Sequence, residues 1–299
     1  MFPVFAEVPA YPLVFVVFWG AAAFFTLVTA RHIRVLATGK APGPNPLADI
    51  PKRTIGLIQY AFLQVKMFKD PRAGVMHFGI FWGFVLLTIG TADIVTGGVI
   101  QTILTLPFDG LLWAAISAMQ NVVAVITLVF IGWAFERRLI SKPARLTYNW
   151  DALSILLLIG GVVGTELLAQ GFEFAAYGDK PGAFIAAGLA IPLRALDAGF
   201  LGAVFAILWW AHIAIVAAFM CILPFSKHYH VAMAFPNIYF RKLAPRGELP
   251  AMDLEAEDAT FGIRTLADLG WKDMLDGFTC TECGRCQQAC PAWNTGKPL

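Results

Sequence analysis

Four of the five cysteines in this chain lie close together near its C-terminal end, in the stretch FTCTECGRCQQACPAW (278–293). Their spacing is C-x2-C-x2-C-x3-C-P, and these motif cysteines are Cys280, Cys283, Cys286 and Cys290. Thiolates at this spacing bind three corners of a [4Fe–4S] cluster, and the fourth cysteine can bind a second cluster, as in bacterial ferredoxins. Zinc is the alternative, but zinc ligands normally come as two CxxC pairs separated by a longer loop. We therefore predict iron–sulfur ligation.

Histidines in or beside apolar stretches form a second set of candidate ligands. His77 lies in GVMHFGIFWGFVLL, His212 lies in the last long apolar run, and His228 and His230 follow that run. An imidazole inside a membrane is costly and therefore a candidate for function, although a hydrogen bond to a neighbouring helix is the simpler interpretation. Two imidazoles from facing helices at one depth can hold haem b, and we predict that His77 and His230 form such a pair.

The helical phase of the last histidines depends on whether one helix continues through them. His212 and His230 are 18 residues apart, so they share a face if the helix continues past Pro224. If the helix bends there, His228 is the fallback ligand.

The composition predicts that these residues are held by a membrane protein. The 299 residues are 58% hydrophobic and 14% charged, whereas average soluble domains have about 25% charged residues. We expect no cleavable signal peptide and no nucleic-acid partner.

Five apolar runs approach or exceed the roughly 20 residues needed to cross a bilayer. The predicted spans are 11–30, 75–98, 111–135, 152–171 and 198–225. The apolar segment 182–193 is too short to span and is expected at the membrane surface. We predict an all-α fold, with a five-span cytochrome b-like domain (1–235), a linker (236–277) and the start of a ferredoxin-type domain (278–299).

The basic residues are distributed very unevenly between the two sides of this bundle. Of 22 Lys and Arg residues, Lys180 and Arg194 alone fall on one side. The other side, called the basic side below, is cytoplasmic by the positive-inside rule. The prediction is a multi-pass protein of the inner (plasma) membrane, with the N-terminus outside and the motif cysteines inside.

Two stretches, HFGIFWGF and H…LPFSKHYHV, resemble the cytochrome b (gamma) subunit of respiratory nitrate reductase. This resemblance implies a five-span bundle that holds two haems b and oxidises quinol. His77 and His230 match the ligands of the haem nearer the cytoplasm, and His212 matches one ligand of the outer haem. The position of its partner is Leu87, which cannot ligate iron, so the resemblance implies one complete haem site.

CTECGRCQQACPAWNTGKPL and LPFSKHYHVAMAFPNIYF resemble the membrane oxidoreductases related to heterodisulfide reductase. They are most similar to the type that passes electrons from electron-transfer flavoprotein to menaquinone in fatty-acid β-oxidation. The resemblance implies quinone as substrate and this flavoprotein, or another cytoplasmic electron carrier, as partner. In that family further cysteine-rich segments follow the motif, so we expect a longer protein with two clusters.

Other functions fit the same residues. These are a quinol-oxidising subunit linked to heterodisulfide or sulfite reduction, a membrane electron-transfer anchor without its own substrate site, and a zinc-bearing scaffold with structural histidines. Arg72 and Lys227 could meet haem propionates or lie at the membrane interface. His32 is expected to be interfacial, and Cys221 a small apolar residue. The candidates for a quinone site, each also explicable by helix packing, are Asp93, Gln120, Asn121 and Glu166.

Overall fold

A computed structural model describes residues 8, 10–39, 45, 47–105, 110–245, 248, 255 and 263–297. The helices of this part, in chain order, are α1 (Leu13–Leu36), α2 (Ile50–Leu57), α3 (Pro71–Val95), α4 (Val99–Thr105), α5 (Leu111–Glu136), α6 (Trp150–Tyr177), α7 (Phe184–Leu193), α8 (Ala198–Ile222), α9 (His230–Tyr239), α10 (Trp271–Phe278), α11 (Arg285–Ala289) and α12 (Pro291–Asn294).

Among the described residues, five helices are long and apolar enough to cross a membrane, namely α1, α3, α5, α6 and α8. This confirms the prediction of an all-α, multi-pass membrane protein. The first span was placed at 11–30, but α1 continues through RHIR to Leu36. Arginine and histidine side chains do not end a helix by themselves, so RHIR does not mark the end of α1.

Three spans begin at side chains that accept a hydrogen bond from the first turn of the helix. The Ala73 amide donates to Asp70 Oδ1 at 3.3 Å, and the Phe200 amide donates to Asp197 Oδ1 at 2.9 Å. Asn149 caps α6 in the same way. Such caps satisfy amides that have no partner within the helix. They fix where α3, α6 and α8 begin.

The chain divides into two compact units. The first comprises Met1–Phe25, Met67–Leu223 and Gly284–Leu299, and the second comprises Thr26–Lys66 and Pro224–Cys283. The motif cysteines therefore contribute to both units, with the boundary between Cys283 and Gly284.

The spans of the first unit pack through small apolar clusters. In one, Ala169 of α6 meets Phe205, Trp209 and Ile213 of α8. A second joins α5, α6 and α8, and its members are Ile131, Ile155, Ile159 and Phe219. A third joins α3, α5 and α6 through Leu87, Ala124 and Val163.

Glycines allow α3 to approach α5 closely. A Cβ atom at Gly83 would lie 2.1 Å from Thr127 Oγ1, and one at Gly79 would lie 2.2 Å from the Phe130 ring. The structure fills the space beside both of them with side chains of α5.

The second unit is held by two arginines that bind backbone carbonyl groups. Arg53 of α2 is buried, and its guanidinium donates to the carbonyl oxygens of Ala48 at 2.8 Å and Tyr239 at 2.6 Å. Arg241 donates in the opposite direction, to the carbonyl of Lys52 at 2.8 Å. These bonds fasten the end of α9 to α2.

The helix that contains His212 does not continue to His230. The α8 helix ends at Ile222, two short 3-10 turns follow (Leu223–Phe225 and Lys227–Tyr229), and α9 begins at His230 itself. Pro224 cannot donate a helical hydrogen bond, and the Ser226 hydroxyl caps the next turn by accepting from the His228 amide at 3.2 Å. The condition for His212 and His230 to share a face of one helix, a helix that continues past Pro224, is therefore not met.

Candidate redox site

The cysteine motif leaves the end of α10 and forms an open turn. Cys280, Cys283 and Cys286 are exposed, Cys290 is half-buried, and all are free thiols. The backbone is left-handed on both sides of the second cysteine, at Glu282 (φ +52°) and Gly284 (φ +70°).

The donor set fits an iron–sulfur cluster in its chemistry. The thiols are reduced, accessible and spaced as cluster ligands require. Within the described residues, no group of three or more histidine, cysteine, aspartate or glutamate side chains is already arranged around a common metal position. Metal binding is generally coupled to local folding, so the turn would close as the thiols bind.

In the second unit, the first half of the motif is attached to the segment before α9. Glu282 Oε2 lies 2.7 Å from Lys227 Nζ, whose side chain is only 9% exposed. In this structure Lys227 is thus paired with a residue of the motif. Asn237 of α9 also hydrogen bonds to Thr279 and accepts from Lys272 Nζ at 2.8 Å.

In the first unit, the second half of the motif is attached to the turn before α3. The guanidinium of Arg285 donates to the carbonyl oxygen of Met67 at 3.2 Å. Nearby, Asp70 forms ion pairs with Arg145 and Arg137. Partial burial acts to raise the pKa of the Asp70 carboxyl, but the Ala73 amide and the arginines outweigh it and hold that pKa below its usual value.

His212 is buried within α8 and is oriented by α6. Its Nδ1 atom lies 2.9 Å from the Val162 carbonyl oxygen and 3.3 Å from Thr165 Oγ1. A carbonyl can only accept, so Nδ1 carries the proton and Nε2 has the lone pair. Metal-binding histidines commonly have this arrangement, although it also suits a histidine that only joins two helices.

His230 has the same kind of orientation. Its Nδ1 atom lies 3.1 Å from the carbonyl oxygen of Lys227, so Nε2 is again the atom with the lone pair. Burial lowers the pKa of the imidazole, against the opposing effect of that hydrogen bond. The His228 ring is perpendicular to the His230 ring, with centroids 5.1 Å apart, so the fallback ligand is adjacent.

His77 borders the interior face of α3. It is half-buried and lies one turn before Ile80, which packs against the cluster around Ile131 and Phe219. Leu87, the position where the resemblance places a second ligand, is buried in the α3–α5–α6 cluster. That position serves packing, which agrees with the sequence argument against ligation there.

His32 is surrounded by rings of the second unit. Its imidazole stacks on Phe278 at 4.8 Å between centroids and meets Tyr229 edge-on at 5.3 Å. Within the described part of the chain, its buried Nδ1 atom has no hydrogen-bond partner. His32 is therefore packed beside the end of α10.

Two of the polar candidates for a quinone site join helices. Asn121 Nδ2 donates to Gln170 Oε1 at 3.0 Å, and Asn121 Oδ1 accepts from the Ala186 amide at 3.0 Å. This pair of bonds holds α7, which forms from the predicted short apolar segment. Gln120 Nε2 donates to the Leu86 carbonyl oxygen at 3.3 Å.

The remaining two candidates differ from each other. Asp93 is buried and accepts from the Gln101 amide at 2.7 Å, so it holds α4 against the end of α3. Glu166 lies within α6, and no hydrogen bond reaches its carboxylate among the described residues. Of the four candidates, Glu166 alone has no side-chain hydrogen bond in the described part of the chain.

Three known proteins are similar to this chain in sequence. The chain is 33% identical over 242 residues to a probable iron–sulfur-binding oxidoreductase, FadF, of Bacillus subtilis, which covers 80% of this chain. It is 29% identical over 310 residues to an EtfAB:quinone oxidoreductase of Syntrophomonas wolfei, covering 98% of this chain. This chain is a relative of membrane iron–sulfur oxidoreductases.

A third relative is a probable membrane-anchored ferredoxin of Chromohalobacter salexigens, 28% identical over 95% of this chain. The chain spans only 34%, 42% and 39% of the lengths of these three relatives. No family model matches the chain, and no solved structure does. The similarity to the nitrate reductase gamma subunit stays a prediction.

Sequence reasoning missed the charged residues that attach the motif. Asp70, Arg145 and Glu282 were missed because each is one charged residue in a connecting segment. A signal did exist for Asp70, since Asp followed by Pro marks the start of a helix.

Proposed function

We propose that this chain is the membrane part of an oxidoreductase that passes electrons between cytoplasmic iron–sulfur clusters and the quinone pool. Electron-transfer flavoprotein is the donor and menaquinone the acceptor. The observation that carries the proposal is the attachment of both halves of the cysteine motif, through Lys227 and Arg285, to segments that adjoin membrane spans. The names of the relatives support the iron–sulfur, flavoprotein and quinone parts.

The charge distribution supports the orientation. All Lys and Arg residues except Lys180 and Arg194 lie on the basic side, which is also the side of the motif cysteines. We place that side in the cytoplasm of a cell with this protein in its inner membrane. A soluble flavoprotein then reaches the clusters directly.

Haem b is the proposed second redox group, held by His77 and His230. A cluster and a haem each supply reversible one-electron transfer, which allows a two-electron donor to reduce quinone in single steps. The chain's own contribution is orientation. The Lys227 carbonyl fixes the His230 ring, while the Val162 carbonyl does the same for His212.

The cluster assignment is tested by replacing cysteines one at a time in the purified, reconstituted protein. Cys283→Ser should lose iron and acid-labile sulfide together with the reduced-cluster EPR signal. Cys221→Ser is the matched control, because Cys221 lies in α8 outside the motif, and should keep all three. Equal metal content in the two variants, or zinc in place of iron, would contradict the assignment.

The haem assignment is tested by reduced-minus-oxidised visible spectra. His77→Ala and His230→Ala should each abolish a low-spin haem b spectrum. His228→Ala is the control for His230, since the two rings are neighbours. If the haem spectrum is lost in His228→Ala but kept in His230→Ala, the ligand is His228 and not His230. If both His77→Ala and His230→Ala keep the haem spectrum, the proposed pair is refuted.

The overall reaction is tested with reduced flavoprotein and a soluble menaquinone analogue. The expected result is flavoprotein oxidation that depends on the quinone and is lost in Cys283→Ser. A second function is favoured by the relative named as a membrane-anchored ferredoxin. If cluster reduction is fast but no quinone is reduced, the chain is an electron-transfer anchor instead.

A further inference from the structure

The carboxylate of Asp70 is the meeting point of arginines from three parts of the first unit. Arg137, at the end of α5, lies with Nη2 3.5 Å from Asp70 Oδ2, and Arg145, before α6, forms a second ion pair with the same oxygen. Arg285, between the second and third motif cysteines, acts on this carboxylate electrostatically. One acid thus connects the cysteine motif to the segments that adjoin α3, α5 and α6.

Arg285 has a second attachment to the same turn. Besides its bond to the Met67 carbonyl oxygen at 3.2 Å, its Nη1 atom lies 3.7 Å from the Met67 sulfur. The guanidinium group is a planar fork that can serve several acceptors at once. It therefore fixes both the position and the orientation of the backbone next to Cys286.

Gly284 brings the motif backbone into direct contact with the connection between α5 and α6. A Cβ atom at this position would lie 1.8 Å from the carbonyl oxygen of Arg145. The backbone there is also left-handed, which favours glycine. No side chain can therefore separate the motif from Arg145, the residue that pairs with Asp70.

A role in helix stability alone does not explain this arrangement. The cap on α3 needs only the Asp70 carboxylate and the Ala73 amide, and Arg137 and Arg145 already supply two positive charges. Arg285 is a third positive charge acting on that carboxylate, and its guanidinium also has direct contacts with Met67 in the same turn. The contacts of Arg285 therefore affect the position of the cysteine motif.

We propose that Asp70 and Arg285 are positioning residues that hold Cys286, and the cluster it binds, at the N-terminal end of α3. The proposal rests on the proposed function. His77 lies seven residues after Asp70 on α3, a rise of about 10 Å. Holding the motif at that end of α3 sets the distance between the cluster and the electron acceptor in the spans of the first unit.

The step concerned is a single electron transfer. The reduced cluster loses one electron and is oxidised, and the acceptor in the spans gains one electron and is reduced. No bond forms or breaks, and the electron originates from the flavoprotein donor. Because tunnelling weakens steeply with distance, looser positioning lowers the rate without changing the cluster.

The main test replaces Arg285 by methionine, which keeps most of the side-chain volume and leaves Asp70 paired with Arg137 and Arg145. Arg264→Met is the matched control, because Arg264 is an exposed arginine in the other unit. In stopped-flow experiments with a menaquinone analogue, Arg285→Met should reoxidise its reduced cluster about tenfold or more slowly than wild type. Arg264→Met should match wild type, and iron, sulfide and EPR spectra should be unchanged in both.

Asp70→Asn, which removes the shared charge but keeps a capping side chain, should show the same slow reoxidation. Wild-type rates in both Arg285→Met and Asp70→Asn would overturn the proposal. Loss of the cluster in both would also overturn it, since the residues would then serve assembly rather than position.

A distance measurement keeps the inference separate from the proposed function. A nitroxide at Arg72→Cys, in a Cys221→Ser background, reports its distance to the reduced cluster by pulsed EPR. Arg285→Met should broaden the narrow wild-type distribution, and an unchanged distribution would refute positioning. If wild type holds a cluster but reduces no quinone, the proposed function fails while this measurement still decides the inference.

Discussion

Replacing Gly284 by alanine is the most direct perturbation of the contact between the cysteine motif and the first unit. Gly296→Ala provides a matched control twelve residues later in the same segment. Both glycines have left-handed backbones, with φ of +70° and +73°. They differ in surroundings, because a Cβ atom at Gly296 meets nothing within 4 Å, whereas one at Gly284 meets the Arg145 carbonyl oxygen at 1.8 Å.

The structure allows the two costs to be separated. Placing an L-residue in the left-handed region costs about 1–2 kcal/mol, and both variants bear that cost equally. A carbon–oxygen contact normally lies at about 3.3 Å, so at position 284 the two backbones must separate by about 1.5 Å. Forcing extra volume into a close-packed site costs typically about 1–3 kcal/mol. We therefore expect Gly284→Ala to cost about 1–3 kcal/mol more than Gly296→Ala.

Hydrogen exchange of the amides in residues 284–297 measures this difference, because it reports the free energy of local opening. A further 1–3 kcal/mol corresponds to a roughly 5- to 150-fold greater loss of protection in Gly284→Ala than in Gly296→Ala. Equal protection in the two variants would refute the close contact with Arg145. Both variants bear the same left-handed backbone strain, so this strain could not explain equal protection in the two variants.

Three further predictions follow from packing and charge. Gly83→Ala should lower the free energy of unfolding by about 1–3 kcal/mol, measured by denaturation in detergent, while Gly132→Ala, which meets nothing within 4 Å, should not be destabilising. Folding lowers the pKa of the Asp70 carboxyl. The stabilisation that the charged carboxylate provides is therefore complete above the unfolded pKa, about 3.9, and disappears as the pH falls through the lower folded value. Asp70→Asn should remove this acid dependence of motif protection. Lys227→Met should destabilise the protein less than Glu282→Gln. The first change leaves a half-exposed carboxylate in water, whereas the second leaves a buried ammonium group without this partner. The opposite order of the two variants in thermal unfolding would contradict the assigned burial.

The spans could be predicted because their signal is continuous over many residues. Each run of about twenty apolar side chains has only one inexpensive environment. The cap at Asp70 was not predicted, and the second span was placed at 75–98 although its helix begins at Pro71. The break before His230 was harder to predict, because Pro224 is compatible either with a kink or with an end. Ser226 favours an end of the helix, because its hydroxyl accepts a hydrogen bond from the His228 amide, and only the structure shows this bond.

The side chains that attach the motif could not be predicted from one sequence. Arg285 contacts the turn at Met67 across more than two hundred residues, and neither residue lies in a periodic pattern that would relate them. The cysteine spacing, by contrast, is local and carries its own chemistry. Local spacing thus identified the ligand set, whereas the partners of the motif depend on tertiary packing that the spacing does not encode.

The two attachments of the motif have a common relation to the predicted haem ligands. In the second unit, Glu282 is paired with Lys227, the residue whose carbonyl orients the His230 ring. In the first unit, Arg285 holds the turn that leads into α3, the helix of His77. Each half of the motif is therefore fastened to the segment of one predicted ligand. This relation favours the proposed electron path over a zinc-bearing scaffold, because such a scaffold gives no reason for the motif to be fastened beside these histidines.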